Sequence, residues 1–425
     1  MAGAVSANAQ PATHWVTAWA ASVQGPYPVG NATVQPDLSA VFPKAEVGAR
    51  DQSFRLIVRP DVWGSQVRLR FSNALGTRPL TLDDVFAGVQ LSGSAVVTGT
   101  NTPLTFNGKR SVTIAPGADA WSDGVALAFV RPGDTVGLSG RKLAVSFHVA
   151  GESGPMTWHA KALTTSYATR PGAGSVGANE REQAFPASTT SWYFLDAVDM
   201  RMPASTRTIV AFGDSITDGT ASTLNGDDRW PDVLSRHLHA RAGDALSVVN
   251  AGIGGNRVAS PSDYTPAQPF AGGPSAAQRL ERDVVSLSAV KAVIWLEGIN
   301  DFGTAANTSV ERVQQTMREQ VARLHAKGIA VFGATLTSAV GNGAPPDSAA
   351  REAKRQALNT FIRTSGVFDG VFDFDRATTD PATGAMKDAF IPNSTDGGPG
   401  DHLHPNRLGY AAMAEAVDLT ALTKP

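Results

Sequence analysis

There is no cysteine in the 425-residue chain, which removes disulfides, thiolate nucleophiles and cysteine metal sites together. This absence does not fix a redox compartment, since exported bacterial proteins often fold without disulfides. Charge of one sign is missing too: 36 basic against 38 acidic residues leave a formal net charge of -2. No electrostatic footprint for nucleic acid or an anionic membrane follows, and a small neutral or mixed substrate fits better. Long apolar runs are absent. The best, Val290 to Leu296, is interrupted by Lys291 and runs into Glu297, far short of the ~20 residues of a membrane helix, so a soluble protein with no membrane insertion is expected. Two motifs are lacking as well. Without HExxH there is no zinc-peptidase signature, and without GxSxG there is no nucleophile elbow of the usual α/β-hydrolase. Metal ligation by Asp401-His402-x-His404 or His237-x-His239 is a weak alternative, because residues two apart on a helix do not share a face. No metal and no cofactor are expected.

Glycine and proline are plentiful, 42 and 26 residues, as in a chain with many turns rather than long helices. The length exceeds what one core usually serves, so two or three domains are expected. Residues 1–12 read as the remnant of a trimmed signal peptide or a flexible tail, since Ala7-Asn8-Ala9 is the small-residue pattern of a cleavage site. A secreted or periplasmic bacterial protein is the matching expectation.

From residue 13 to 203 the apolar pattern has period two. Phe54 to Arg59 and Val67 to Phe71 flank Pro60-Asp61-Val62-Trp63-Gly64 as two strands joined by a turn would, and Leu143 to Val149 alternates likewise. Short strands between turn residues predict an all-β sandwich or jelly-roll domain. Six of the eight tryptophans, at 15, 19, 63, 121, 158 and 192, lie here; core or interface packing suits most of them better than a sugar-stacking platform. From 204 to 425 strands and helices alternate. Strands are expected at 208–212, 246–250, 289–296, 329–336 and 367–372, and helices near 229–242, from 275, over 309–327, over 347–364 and from 406. That pattern predicts an α/β domain with a parallel sheet covered on both faces.

In such a sheet, functional groups gather at the carboxyl ends of the strands. Gly213-Asp214-Ser215 follows the first strand, Asn250-Ala251-Gly252-Ile253-Gly254-Gly255-Asn256 the second and Gly298-Ile299-Asn300-Asp301 the third, while Asp401-His402-Leu403-His404 precedes the last helix. These clusters hold what acyl transfer needs: a hydroxyl nucleophile, an imidazole base, a carboxylate to orient it and donors for an oxyanion. Ser215 at a strand-to-helix corner exposes its Oγ. Asp401 and His404, three residues apart, can meet through one tight turn, Gly255 can offer an unobstructed amide, and Asn300 a side-chain NH2. Each cluster also has a plain structural competitor: Ser215 as a helix N-cap, Asp214 bracing the turn, the glycines as a turn, Asn300-Asp301 as a cap, and Asp401 with His404 as a surface loop.

The blocks GDSIT, NAGIGGN, GIND and DHLH, in that order, resemble the four blocks of the SGNH, or GDSL, hydrolases over roughly residues 206 to 422. GDSI in place of GDSL is a conservative change. The resemblance implies a three-layer α/β/α, flavodoxin-like catalytic domain. It also implies a catalytic set of Ser215 as nucleophile, His404 as base and Asp401 as its partner, with an oxyanion hole made by the Ser215 and Gly255 amides and the Asn300 side chain. A serine carboxylic ester hydrolase working through an acyl-enzyme is therefore expected, on short-chain or acetyl esters, carbohydrate esters among them. The alternatives are a lipase or lysophospholipase and a non-catalytic secreted glycan-binding protein. The segment 259–274, with four prolines, Tyr264 and Phe270, is a candidate wall for the acyl pocket.

Overall fold

The computed structural model describes residues 12–131, 135–344 and 346–424. The leader read at 1–12 falls outside the described residues except for Ala12.

In the N-terminal half, alternation decides which side chains share a core. One antiparallel sheet runs in the order Thr13–Ala20, Leu195–Pro203, Gln66–Ser72, Val125–Ala126; a second is built around Arg50–Val58, Leu143–Glu152 and Leu80–Ser92. Phe54, Leu56 and Val58 from the second sheet and Val67, Leu69 and Phe71 from the first meet in one apolar core. The runs on either side of Pro60–Gly64 are strands, as expected, but they lie in different sheets. Each sends every second side chain into the same core, so the chain must cross from one layer to the facing one rather than fold back as a hairpin. Trp19, Trp63, Trp158 and Trp192 are buried, with Trp19 edge-on to Trp192 at 4.8 Å. Trp15 and Trp121 hold the Arg68 guanidinium 4.8 and 4.2 Å from their ring centres. None of the six forms an exposed platform.

The C-terminal half is built on a five-stranded parallel sheet in the order Leu246–Gly252, Arg207–Gly213, Val290–Leu296, Ala330–Ala334, Gly370–Phe372. Both faces are apolar because both are covered. Val210, Phe212, Val293 and Trp295 pack on the helices Val310–His325 and Asp347–Thr364. Ile209, Ala211 and Ile294 pack on Trp230–Ala242 and Arg407–Glu415. The helix expected over 309–327 starts where Ser309 Oγ accepts the Arg312 N–H at 3.2 Å and stops at Gly328, whose φ of 72° suits a left-handed cap. Two elements are shorter than the pattern suggested. The helix after Ser275 covers only Ala276–Leu280 before passing into a wider turn, Glu281–Val285, and the last strand begins at Gly370.

Leu246–Gly252 is an edge strand, and the N-terminal half covers it. The Val248 N–H donates to Asp61 Oδ2 at 2.6 Å, and Ser247 Oγ to the Thr17 carbonyl at 2.8 Å. Asp61 Oδ1 also accepts the Ser235 hydroxyl. An otherwise open sheet edge is thus closed by groups from the other half of the chain. Asp61→Ala leaves the strand amide and its neighbours unpaired in a buried interface and is expected to cost about 2–4 kcal/mol of stability, read from urea unfolding; a change under about 0.5 kcal/mol would show that the edge does not need this cap.

Candidate active site

Ser215 lies at the carboxyl end of Arg207–Gly213, the first parallel strand, as the first residue of the short helix Ser215–Asp218. Asp214, not Ser215, caps that helix: its Oδ1 accepts the Ile216 N–H at 3.0 Å. The bracing role read for Asp214 is what it performs, and it leaves the Ser215 hydroxyl unused by the backbone. That hydroxyl lies 2.7 Å from His404 Nε2, and His404 Nδ1 lies 2.6 Å from Asp401 Oδ2. A tight turn makes the second contact possible. Asp401 Oδ1 accepts the N–H groups of Leu403 at 3.0 Å and His404 at 2.9 Å, with His402 at a φ of 59°. Burial works to raise the Asp401 pKa, but the hydrogen bond and charge of His404 and the two backbone donors outweigh it and hold the carboxyl well below the usual carboxylate range. An ionised Asp401 only accepts, so Nδ1 carries the hydrogen and Nε2 is left to accept from Ser215.

The glycine block follows the edge strand. Gly252 sits against the Ser215 helix so closely that a Cβ there would lie 2.3 Å from the Asp218 nitrogen. Asn250 Nδ2 donates to the Thr217 carbonyl at 2.6 Å, and the Gly254 N–H donates to Asp218 Oδ2 at 2.9 Å. Gly255 has a φ of 81°, a conformation that favours glycine. Among the described residues the N–H groups of Ser215 and Gly255 donate to no protein acceptor. Asn300, in the turn Ile299–Phe302, spends one of its two amide hydrogens on the Asn256 carbonyl at 2.9 Å. Asp301 accepts the Val258 and Ala259 N–H groups at 2.8 and 3.1 Å, which anchors the start of the 259–274 segment. The end of that segment is tied by Asn256 Nδ2 to the Gly272 and Pro274 carbonyls at 2.5 and 2.7 Å.

Sequence reading missed the group that joins these pieces. Arg279, from the short helix Ala276–Leu280, is fully buried. Its Nη2 donates to the Gly213 carbonyl at 2.8 Å, its Nη1 to the Ala251 carbonyl at 2.8 Å and its Nε to Asn256 Oδ1 at 2.7 Å. One guanidinium therefore ties the strand end before Ser215 to the strand end before the glycines and to the residue that holds Asn300. Nothing in its sequence context marks it. Buried acids surround it. Burial pushes Asp214 up to about 7, Asp301 up to about 6 and Glu297 up to about 8, the last against the opposing pull of Arg279. Glu297 Oε2 accepts the Trp295 indole N–H at 2.8 Å, and its Oε1 stands 3.9 Å from Arg279. The weak alternative of metal ligation involves Asp401, His402 and His404, or His237 and His239. His239 faces Asp61 and Asp244, each at 3.3 Å, and among the described residues no group of three or more such side chains is placed to hold a metal ion.

A parallel sheet between two helical layers, with a Ser–His–Asp chain at the carboxyl ends of its strands, defines the class of this half of the protein. The GDSL-like lipase/acylhydrolase family matches residues 211–412, and this part of the chain belongs to that family. Among solved structures, similarity extends to the aryl esterase of M. smegmatis (19% identity, 50% of this chain and 96% of that one, TM-score 0.37). It extends also to a carbohydrate acetylesterase from Sinorhizobium meliloti (16%, 50% and 96%, TM-score 0.36) and to the lipase/acylhydrolase of Enterococcus faecalis (21%, 50% and 93%, TM-score 0.37). No curated protein matches the chain.

The raised carboxyls have a consequence for stability. Between the ordinary carboxylate range and a folded-state pKa of about 8, Glu297 is ionised in the unfolded chain and protonated in the folded one, so its contribution is complete at low pH and is lost as pH rises through that interval. Glu297→Gln is expected to flatten the fall in melting temperature between pH 5 and pH 8.5. Identical slopes in the two proteins would mean that Glu297 is charged and paired with Arg279.

Proposed function

We propose that the protein hydrolyses carboxylic esters through a covalent acyl-enzyme on Ser215. The observation that carries this reading is the unbroken chain from Asp401 Oδ2 to His404 at 2.6 Å and from His404 Nε2 to Ser215 Oγ at 2.7 Å. In this scheme Ser215 Oγ attacks the ester carbonyl as its proton passes to Nε2, and Asp401 stabilises the imidazolium. The oxyanion is received by the free N–H groups of Ser215 and Gly255 and the second amide hydrogen of Asn300. His404 then returns the proton to the departing alcohol, and a water molecule, activated by the same imidazole, releases the acid.

We assign the chemistry to a hydrolase domain over 204–425 and treat 13–203 as an all-β domain of sandwich or jelly-roll type. Facing antiparallel sheets around an apolar core that draws on this half almost alone support that division. Short-chain or acetyl esters, on carbohydrate or simple alcohols, are the proposed substrates, in keeping with a net charge of -2 and no basic or anionic-ligand footprint. The reading places the protein outside the cytoplasm, on the small-residue cleavage pattern around Ala7 and Ala9.

A p-nitrophenyl ester series from acetate to palmitate tests it. Activity is expected on acetate and butyrate, with Ser215→Ala and His404→Ala each lowering kcat by about 10⁴-fold or more and Asn300→Ala by about 10²–10³. Preference for palmitate would favour a lipase. No hydrolysis of any ester, together with affinity for glycans, would replace the enzyme reading with that of a binding protein.

A further inference from the structure

The two halves meet directly behind the glycine loop, through polar groups that the scheme above does not use. Asn31, exposed and belonging to the N-terminal half, donates from Nδ2 to the Gly254 carbonyl at 2.8 Å. The Gly254 carbonyl and the Gly255 N–H are two ends of one planar trans peptide and point in opposite directions. A donor fixed on the carbonyl therefore fixes the aim of the N–H and polarises it as a donor. The preceding amide is held from the other side, since the Gly254 N–H reaches Asp218 Oδ2.

Asp218 is fully buried, and its counter-charges come from the N-terminal half as well. His159, on the strand Thr157–His159, directs Nε2 at Asp218 Oδ1 and at the Lys161 carbonyl, both at 3.1 Å, and Nδ1 at the Ser22 carbonyl at 2.7 Å. All three partners present oxygen atoms to the ring. Lys161 is 5% exposed and its ammonium bonds the Thr220 hydroxyl. Burial pulls its pKa down against the attraction of Asp218, and a Cβ at Gly254 would lie 3.2 Å from its Nζ. Burial would also raise Asp218, yet His159, Lys161 and Arg229 together hold it below the ordinary range. A charged Asp218 is thus secured as the acceptor for Gly254 by His159 and Lys161, more than fifty positions away in the chain, together with the nearer Arg229.

Resting on the ester-hydrolase reading, we propose that the N-terminal β-domain is a working part of the hydrolytic centre. Asn31 is a positioning residue that sets the Gly255 peptide plane, and His159 and Lys161 are positioning residues that hold Asp218, and through it the oxyanion loop. The domain does not need to bind substrate to affect turnover; it keeps a donor aimed where negative charge develops.

The test uses the full-length protein. Asn31→Ala removes an exposed side chain and takes from the Gly254 carbonyl its only protein donor among the described residues. It is expected to lower kcat for p-nitrophenyl acetate about 10-fold with KM unchanged, and to slow phosphonylation of Ser215 by a fluorophosphonate probe in parallel. Lys161→Met, which replaces a desolvated ammonium by an apolar side chain of similar length, is expected to lower kcat likewise. Thr165→Ala, which deletes a different contact between the halves, that with Asn225 Nδ2 at 2.9 Å, should leave kcat alone. Amide hydrogen exchange at Gly254, whose N–H is held by Asp218, is measured in the same proteins and should quicken in Asn31→Ala whether or not any ester is turned over. If wild type hydrolyses no ester and takes no probe, the function proposed above falls, and the exchange data still decide this inference. Wild-type kcat and wild-type exchange in Asn31→Ala would overturn it, even if Lys161→Met does not fold.

Discussion

Everything at the carboxyl edge of the sheet hangs on the buried guanidinium of Arg279. Its hydrogen bonds to the carbonyls of Gly213 and Ala251 and to Asn256 are made where no water can replace them, in a geometry that a planar fork can satisfy and a flexible ammonium cannot. It also reaches Ser22 Oγ in the N-terminal half at 3.2 Å and Asp283 at 3.1 Å. The strands Arg207–Gly213 and Leu246–Gly252 are already paired along their length. Beyond that pairing the backbone diverges into loops, and there the shared cation keeps Ser215, the glycine block and the residue supporting Asn300 in one frame. Surrounding carboxyls lose part of their charge to burial, which limits the electrostatic cost of collecting so many acids around one cation.

A division of labour among neighbouring residues follows from the same economy of hydrogen bonds. Asp214 caps the helix, so Ser215 does not have to. Asp401 divides its oxygens, one for the turn that shapes it and one for the imidazole. Asn300 spends one amide hydrogen on the Asn256 carbonyl. The groups proposed to react are those whose local obligations have been met by someone else, and this is why they remain free in a well-packed site.

The parallel sheet and its helices were readable because their signals are local. Apolar runs of strand length alternate with helical periodicity, and Ser309 and Gly328 punctuate one helix at positions a sequence can show. The four site blocks were readable for a related reason: a glycine that must approach a helix, as Gly252 does, and a carboxylate three residues before an imidazole are constraints written within a few residues. The path of the chain between the strands flanking Pro60–Gly64 was less legible. Period two places a strand in a layer without saying which partner it takes, and here a shared core, not a turn type, sent them to opposite sheets.

The amino-acid sequence by itself determined the order of elements, the class of the C-terminal half and the residues that stand at its strand ends, because each of these depends on spacing along the chain. Tertiary structure alone decided that Arg279 joins those strand ends, that Asp61 closes the sheet edge, and that Asn31, His159 and Lys161 stand behind the glycine loop. Those contacts link residues from about 20 to more than 200 positions apart. A lone arginine, asparagine or lysine carries no local pattern, and its role exists only once burial has stripped away water and left one partner within reach.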